Sequence, residues 1–238
     1  MKYHGGKAKL APKFAPFLIE ALAKHDGRFF EPFVGGFNIV PVIHDHVRQA
    51  LCCDAHPGLI TMWKAVQDGS FDPPGTVTRE EYNALNLARD WTNPLTAFAA
   101  FGCSFSAKEF GGYASGDTRY AVPRSYATEA RNGILRKAKA MDRVVFMNEN
   151  YEDMSDENAV VYCDPPYANT TKYKTNAFDH SAFVKWCEWL VYRGCTVFVS
   201  EFEAPSADWN CVWEFERNVS MAIGAGHKRT ERLFKLEG

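Results

Sequence analysis

VVYCDPPY, residues 160–167, carries the pattern that indicates the fold class most directly. Its first four residues, Val160 to Cys163, have the length and composition of a buried β-strand. Asp164 follows where the strand ends, and Pro165 and Pro166 then stiffen the backbone and remove two amide donors. An apolar strand that ends in an acid predicts a parallel sheet with polar side chains along its carboxyl edge.

The same pattern recurs along the chain. Apolar runs of strand length, each ending at or beside a polar or acidic residue, occur at 28–31, 50–53, 144–147, 160–163 and 196–200. Helical patterns lie at 13–24, 57–67 and 181–192. This alternation predicts an α/β fold with a mainly parallel sheet covered on both faces. Runs at 211–216 and 231–236 predict a hairpin at the sheet edge, which makes seven strands.

Residues 70–142 interrupt the alternation. They contain Pro73-Pro74, a helical pattern at 79–89 and the glycine-rich stretch SAKEFGGYASGD at 106–117. We therefore predict an inserted helical and hairpin subdomain at 70–142, and a main domain formed by 1–69 and 143–238.

Charge is unevenly distributed although the net charge is only −2. Residues 108–143 carry a net charge of +4, which leaves −6 for the rest of the chain. A local basic patch on an acidic body suits a phosphate-bearing partner. Ordinary charge scatter on a solvated helix is the alternative.

Composition sets the limits of the interpretation. With 238 residues, of which 46% are hydrophobic, the chain can form one sizeable core and a smaller subdomain. No apolar run approaches the roughly 20 residues of a membrane span, and the start MKYHGGKAKLAPK has no signal-peptide core; we expect a cytoplasmic protein. The seven cysteines include no C-x-x-C pair, which predicts buried reduced thiols and no metal site. His44-Asp45-His46 is interpreted as an exposed helix face.

The DPPY segment offers a specific chemistry. The Asp164 carboxylate and the Pro165 carbonyl are acceptors held beside the aromatic ring of Tyr167. An exocyclic amine on a planar base has two N–H donors and a ring that can stack. The segment therefore indicates an amine-binding site, and a purely structural turn is the alternative.

Two further segments point to a cofactor. FFEPFVGG, residues 29–36, is a strand that runs into a glycine turn, and Asp54 ends the next strand, where an acid can bind ribose hydroxyls. A structural turn with Asp54 as a helix cap is the alternative. KYHGGK, residues 2–7, offers an aromatic ring in Tyr3 and a charge in Lys7, the alternative being a frayed terminus.

These segments, in this order, resemble the Dam-type, α-group N6-adenine DNA methyltransferases, small phage-borne members included. That family carries x-W/Y-x-G-G-K, then E-P-F-x-G-x-G, a strand-terminal Asp, a target-recognition region and D-P-P-Y, so the resemblance covers nearly the whole chain. It implies a doubly wound, Rossmann-like methyltransferase sheet, S-adenosylmethionine as cofactor and double-stranded DNA as partner. It also allows a cognate restriction endonuclease, and a monomer or weak dimer.

The resemblance also implies roles for individual residues. It implies that the target base is held by Asp164, Pro165, Pro166 and Tyr167. It implies that the cofactor is bound by Tyr3, Lys7, Glu31, Pro32, Phe33, Gly35, Gly36, Asp54, Asn150, Tyr151 and Asp164. Two positions depart from the family: Phe37 stands where a glycine is usual, and Asn150 where an Asp is common.

DNA contacts are predicted in the insert, because the carboxyl edge is committed to cofactor and base. Candidate DNA-binding residues are Lys108, Arg119, Arg124, Arg131, Arg136, Lys137 and Lys139. The first three flank Gly111-Gly112-Tyr113, as a hairpin entering a groove requires. The last four are interpreted as phosphate contacts.

Two other functions compete with DNA adenine methylation. An RNA or protein amide methyltransferase can use the same D-P-P-Y chemistry, although such enzymes usually lack the amino-terminal G-G-K and a long insert. A catalytically silent relative that only binds DNA is the other alternative, and the intact D-P-P-Y argues against it.

Overall fold

A computed structural model describes residues 1, 3–116, 124–167, 178–219 and 227–238. Its strands are β1 (Arg28–Glu31), β2 (Gln49–Cys53), β3 (Val144–Met147), β4 (Val160–Cys163), β5 (Thr196–Glu201), β6 (Asn210–Val219) and β7 (His227–Leu236). They form one seven-stranded sheet in the order β3-β2-β1-β4-β5-β7-β6. The first five strands are parallel, and β7 runs antiparallel between β5 and β6. This confirms the predicted mainly parallel sheet with an edge hairpin.

The helices are α1 (Ala11–Lys24), α2 (Val40–Ile43), α3 (Pro57–Gln67), α4 (Arg79–Ala88), α5 (Pro94–Ala97), α6 (Tyr126–Ala138) and α7 (His180–Tyr192). Short 3₁₀ turns lie at His44–His46, Phe105–Ala107 and Tyr151–Asp153, and a π-helical segment at Phe98–Gly102.

Two apolar clusters, one on each face of the sheet, form the core. Neighbouring strand residues alternate between them: Phe29 lies in the larger cluster with α1 and α3, and Phe30 in the smaller cluster with α7. This alternation follows from the two-residue period of a strand. A sheet buried on both faces explains why its central strands read as continuous apolar runs, and it gives the Rossmann-like, doubly wound arrangement.

Local sequence signals define several helix starts. Thr78 and Glu81 form a capping box at the start of α4, each side chain bonding the other's backbone amide. Asp179 caps α7 by accepting from the amide of Ala182. His56 caps α3 through the amide of Leu59. Such caps satisfy amides that have no partner within the helix.

The segment 70–142 packs on the main domain. Phe98 is fully buried and belongs to the same apolar cluster as Trp63 of α3. The π-helical segment approaches α6 closely, because a Cβ added at Gly102 would lie 2.8 Å from the Cβ of Ala130. The interior of this segment is therefore continuous with the main core, and its role as a separate recognition unit stays a prediction.

The structure describes part of the predicted groove-entering hairpin. Up to Gly116, the last described residue before 124, this part of the insert is a compact loop with one antiparallel bridge, between Ser104 and Tyr113. The Tyr113 hydroxyl donates to the carbonyl of Val77 at 2.8 Å, and its ring packs on Tyr82 of α4. The described part of the predicted hairpin thus pairs antiparallel and packs against the protein, and its entry into a DNA groove stays a prediction.

Most of the cysteines are buried, and His44 lies beside a carboxylate. Six of the seven cysteines are buried and all are free, whereas Cys211 is exposed, which corrects the prediction for that residue. His44 lies 2.6 Å from Asp142 in a 3₁₀ turn. In the described ranges, no group of three or more His, Cys, Asp or Glu side chains could hold a metal ion. None of the helices in those ranges is both long and apolar enough to cross a membrane.

Candidate active site

The site lies at the carboxyl edge of the sheet, where the strand order reverses. The chain moves outward from β1 to β2 and β3, then returns to place β4 on the other side of β1. Ligands of open α/β sheets bind at such a switch point. Glu31 at the end of β1, Asp54 after β2 and Asp164 after β4 meet there.

Asp164 is held by Lys7 of the amino-terminal segment. The Lys7 ammonium donates to Asp164 Oδ1 at 2.7 Å and is only 6% exposed. It also lies 4.7 Å from the centre of the Tyr167 ring, within cation–π range. Burial raises the pKa of the Asp164 carboxyl, and the Lys7 charge opposes that rise. The structure thus brings together the predicted acid, aromatic ring and amino-terminal cation.

The glycine turn is fixed by Asp54. One carboxylate oxygen accepts from the amide of Gly35 at 2.8 Å, and the other from the amide of His56 at 2.9 Å. Burial raises the pKa of Asp54, and these two hydrogen bonds oppose the rise. Since His56 is the cap of α3, the alternative of Asp54 as the helix cap is wrong.

The backbone of the turn lies against Tyr3. Gly35 has φ +43°, and a Cβ added there would lie 2.7 Å from the Tyr3 ring. A Cβ added at Gly36 would lie 2.8 Å from the Cβ of Tyr3. Both glycines are therefore required by the close approach of Tyr3 to the turn.

The structure shows how Phe37 can stand where the family usually has a glycine. It adopts φ +50°, the left-handed conformation that glycine takes readily and other residues rarely. Its fully buried ring packs at 5.7 Å from Trp63 and 5.3 Å from Phe146. The turn thus keeps a glycine-like backbone, while the side chain fills the core beneath it.

Glu31 carries an oxygen that needs a donor. The residue is 2% exposed, and among the described residues its Oε2 has no hydrogen-bond partner. Burial holds the pKa of Glu31 well above its usual value, Asp164 and Asp54 raise it further, and Lys137 opposes the rise. A buried carboxyl oxygen without a hydrogen-bond partner is costly, and one at the switch point of the sheet suits a polar group of a ligand.

Lys137 points inward from α6. Its ammonium donates to the Gly36 carbonyl and, at 2.7 Å, to Asn38 Oδ1. Burial lowers the pKa of Lys137 to about 8. A cation committed to these carbonyls is not available to DNA, which corrects its prediction as a phosphate contact.

The two residues predicted to lie beside the cofactor's adenine differ in their exposure to solvent. Asn150 is exposed and contacts Glu152, whereas Tyr151 is 4% exposed and lies in the smaller core cluster. The Tyr151 ring packs on Phe33 at 5.5 Å and on Trp186 at 5.2 Å. Phe33, half-buried after Pro32, is the ring of this group that adjoins the glycine turn.

Two residues at the target side of the site were missed in the sequence. Glu231 of β7 is 3% exposed and accepts a hydrogen bond from the Tyr167 hydroxyl at 2.9 Å. Phe202 meets the Tyr167 ring edge-on, with centroids 4.6 Å apart. The only sequence signal for Glu231 was its place as a glutamate at the start of the apolar strand pattern 231–236.

The other basic residues of the insert differ in how free their side chains are to contact DNA. Arg124 pairs with Glu129 and stacks on Tyr126, and Arg131 pairs with Asp72. The remaining described members are half-buried Lys108 and exposed Arg136 and Lys139. Arg119 lies outside the described residues.

Solved structures with a similar course of the chain have very different sequences. A proposed RNA methyltransferase from Pyrococcus horikoshii is 5% identical, with a TM-score of 0.44 and coverage of 95% of this chain and 83% of that one. A proposed methyltransferase from Escherichia coli is 10% identical, with a TM-score of 0.42 and coverage of 97% and 87%. An rRNA methylase from Streptococcus thermophilus is 9% identical, with a TM-score of 0.38 and coverage of 100% and 99%. Such distant likenesses carry no argument about function.

Sequence families give a more specific result. No curated protein matches the chain. The family described as D12 class N6 adenine-specific DNA methyltransferase matches residues 3–93 and 78–188, a span that includes the amino-terminal segment, the glycine turn, Asp54 and DPPY. With well over half of its length matched, the chain belongs to the D12 class N6 adenine-specific DNA methyltransferase family.

Proposed function

We propose that this chain is a Dam-type enzyme that methylates N6 of an adenine in double-stranded DNA, using S-adenosylmethionine. One observation carries the proposal. The Lys7 amine is bound at once by the Asp164 carboxylate, at 2.7 Å, and by the face of the Tyr167 ring. An acceptor beside an aromatic face, already binding an amine, is the arrangement that an aminopurine needs.

The other side of the site fits S-adenosylmethionine. When bound, this cofactor supplies a methyl group on a positively charged sulfonium, and it also carries an ammonium and a ribose. Glu31, whose buried Oε2 needs a donor, is suited to the ammonium. Asp54 retains lone pairs for ribose hydroxyls beyond its two backbone bonds. A carboxylate-rich site favours a cationic cofactor.

We further propose how the residues act on the base. The adenine leaves the duplex, at a cost of a few kcal/mol, and stacks on Tyr167 after Lys7 has moved away. Asp164 and the Pro165 carbonyl accept the two N6 hydrogens and orient the nitrogen lone pair at the methyl carbon. With the cofactor bound, the N6 lone pair would take the methyl group as the C–S bond breaks and its electron pair stays on sulfur, and the methylated nitrogen would then pass one proton to the Asp164 carboxylate. Orientation and electrostatic support account for the acceleration, without a covalent enzyme intermediate.

Duplex binding is assigned to the insert at 70–142, with residues 1–69 and 143–238 as the catalytic domain. Of its basic residues, Arg136 on α6 and Lys139 just after that helix are exposed and suit phosphate contacts. A cavity of about 380 Å³ lies between the amino-terminal segment and the insert, lined by Tyr3, Phe101 and Arg124 among others. Aromatic rings with an arginine suit a nucleobase, which supports reading of bases near this cavity.

The test is incubation of the purified chain with isotopically labelled S-adenosylmethionine and unmethylated duplex DNA, followed by nucleoside analysis. We expect N6-methyldeoxyadenosine, and none with Asp164→Ala. Parallel reactions with RNA and with protein extract address the other methyltransferase class. Label in RNA or protein alone would refute the proposal, as would tight DNA binding without any methylation. Methylated-base sequencing of DNA from expressing cells would then give the recognised sequence.

A further inference from the structure

We propose that Glu231 is a positioning residue of the target-base site, which holds the Tyr167 hydroxyl proton and so keeps Asp164 available to the substrate amine. The role of Tyr167 and Asp164 in binding that amine rests on the proposed function. The hydrogen bond itself, and its effect on the orientation of Tyr167, do not.

Glu231 comes from a distant part of the chain. It lies on β7, opposite Phe215 of β6, and its side chain is buried in the sheet at 3% exposure. The Tyr167 hydroxyl donates to its Oε2 at 2.9 Å. A carboxylate in such a place is expensive unless it is well bound, and a charged acceptor makes the hydrogen bond a strong one.

The Tyr167 ring is thereby held at two points. Its hydroxyl is bound by Glu231, and its ring packs at right angles to that of Phe202, with an interplanar angle of 89°. One ring face meets the Lys7 ammonium, at 4.7 Å from the centroid. A ring fixed in this way presents its face to the substrate without loss of side-chain entropy on binding.

Two carboxylates, those of Glu231 and Asp164, can accept a hydrogen bond from the Tyr167 hydroxyl. A phenol has one proton to donate; in the structure it is directed to Glu231 at 2.9 Å, while the Tyr167 hydroxyl also lies close enough to Asp164 to lower the pKa of that carboxyl, which the charge of Glu231 raises. Asp164 is also faced by Lys7, Glu31 and Tyr162. While Glu231 takes the proton, the Asp164 oxygens remain for Lys7 and then for the N6 hydrogens. Without Glu231, the hydroxyl competes with the substrate for Asp164.

Three variants separate the parts of this proposal. Glu231→Gln keeps an acceptor of the same shape, Glu231→Ala removes it, and Tyr167→Phe removes the donor. We expect Glu231→Ala to lower kcat by about 10- to 100-fold, the loss for one hydrogen bond to a charged group, while KM for the cofactor stays within about twofold. Glu231→Gln should recover most of kcat. In the Tyr167→Phe background, Glu231→Ala should cost less than about threefold, because the two residues act through one bond.

Glu237→Gln is the matched control, since this exposed glutamate pairs with Lys235 and should leave kcat unchanged. Melting temperatures identify any variant that is only unfolded. Equal losses from Glu231→Ala with and without the Tyr167 hydroxyl would overturn the inference, as would parent kcat in Glu231→Ala.

A second readout needs no activity. The ¹³Cζ resonance of Tyr167, assigned by its loss in Tyr167→Phe, should shift in Glu231→Ala and stay in place in Glu237→Gln. An unchanged resonance in Glu231→Ala would overturn the role of Glu231 whatever the enzyme methylates. Conversely, if the resonance shifts in Glu231→Ala but the parent protein leaves DNA unmethylated, only the proposed function is refuted.

Discussion

Lys7 Nζ lies 2.7 Å from Asp164 Oδ1 and joins the amino-terminal segment to the end of β4. The same ammonium lies over the Tyr167 ring. Lys7 thus makes, in the free chain, both contacts that we assign to the target amine. On the proposed function the substrate would displace it, and the amino-terminal segment would then belong to the target site as well as to the cofactor site.

Asp164→Ala is expected to abolish methyl transfer while cofactor affinity stays within a few-fold, because the carboxylate is assigned chiefly to the target amine. The variant also leaves Lys7 buried without its partner, which lowers stability. Single-turnover assays on duplex DNA and cofactor calorimetry measure the two effects. Asp164→Asn, which keeps an acceptor and the shape, is the control for folding. Near-normal turnover of Asp164→Ala would contradict the mechanism.

Asp54→Ala is expected to weaken cofactor binding by about 1.5–3 kcal/mol, the loss of a hydrogen bond to a charged acceptor. It also leaves the amides of Gly35 and His56 without their acceptor, so the glycine turn loosens. Calorimetry gives the affinity. Asp68→Ala, at an exposed carboxylate bonded to Ser70, should change nothing. Unchanged affinity in Asp54→Ala would make Asp54 purely structural.

Cofactor binding is expected to release a proton from Glu31. In the free chain, burial and the nearby carboxylates hold its pKa well above the usual value, so the acid form is favoured. A bound ammonium favours the ionised form and lowers that pKa. Affinity should therefore rise with pH until Glu31 is ionised in the free chain. Calorimetry in buffers of different ionisation enthalpy measures the release, and Glu31→Gln should eliminate it. Buffer-independent enthalpies in the parent would contradict the prediction.

Phe37→Gly is expected to lower the free energy of unfolding by about 2–4 kcal/mol. Loss of a buried phenylalanine ring costs about 3–5 kcal/mol, and relief of the left-handed conformation returns about 1 kcal/mol. Denaturant unfolding measures the difference. Phe37→Ala keeps the strained backbone and should be less stable than Phe37→Gly. A glycine variant as stable as the parent would show that the ring does not support the turn.

Sequence reasoning worked best where burial dictates composition. The central strands are apolar throughout because both sheet faces are covered, and Asp164 stands out against such a strand. The same reasoning could not find Glu231, because its contact with Tyr167 depends on where β7 joins the sheet, far along the chain. It could not separate Tyr151 in the core from a ring that contacts a ligand, since one residue type serves both.

Lys137 and Lys139 also show what the sequence could not predict, namely which of two nearby lysines is exposed. In the sequence they are equivalent cations two positions apart, but two positions on a helix point about 200° apart. The structure directs Lys137 to Gly36 and Asn38, and leaves Lys139 exposed. The orientation of the helix, set by its packing on the core, decides which of them can meet DNA.

Substitutions of the two lysines are therefore expected to have different effects on DNA binding and on stability. Lys139→Ala should reduce the slope of log K against log salt by about one unit, the value for one phosphate contact, with stability unchanged. Lys137→Met should leave the slope unchanged and loosen the glycine turn. Because burial lowers the pKa of Lys137 to about 8, from 10.5, the folded chain binds fewer protons than the unfolded chain between these values. Parent stability should then rise with pH across this window, and Lys137→Met should remove that rise. DNA titrations at several salt concentrations and denaturant unfolding at pH 8 and 10 measure both effects. A reduced slope in Lys137→Met, with an unchanged slope in Lys139→Ala, would reverse the assignment and place the DNA on the inner side of α6.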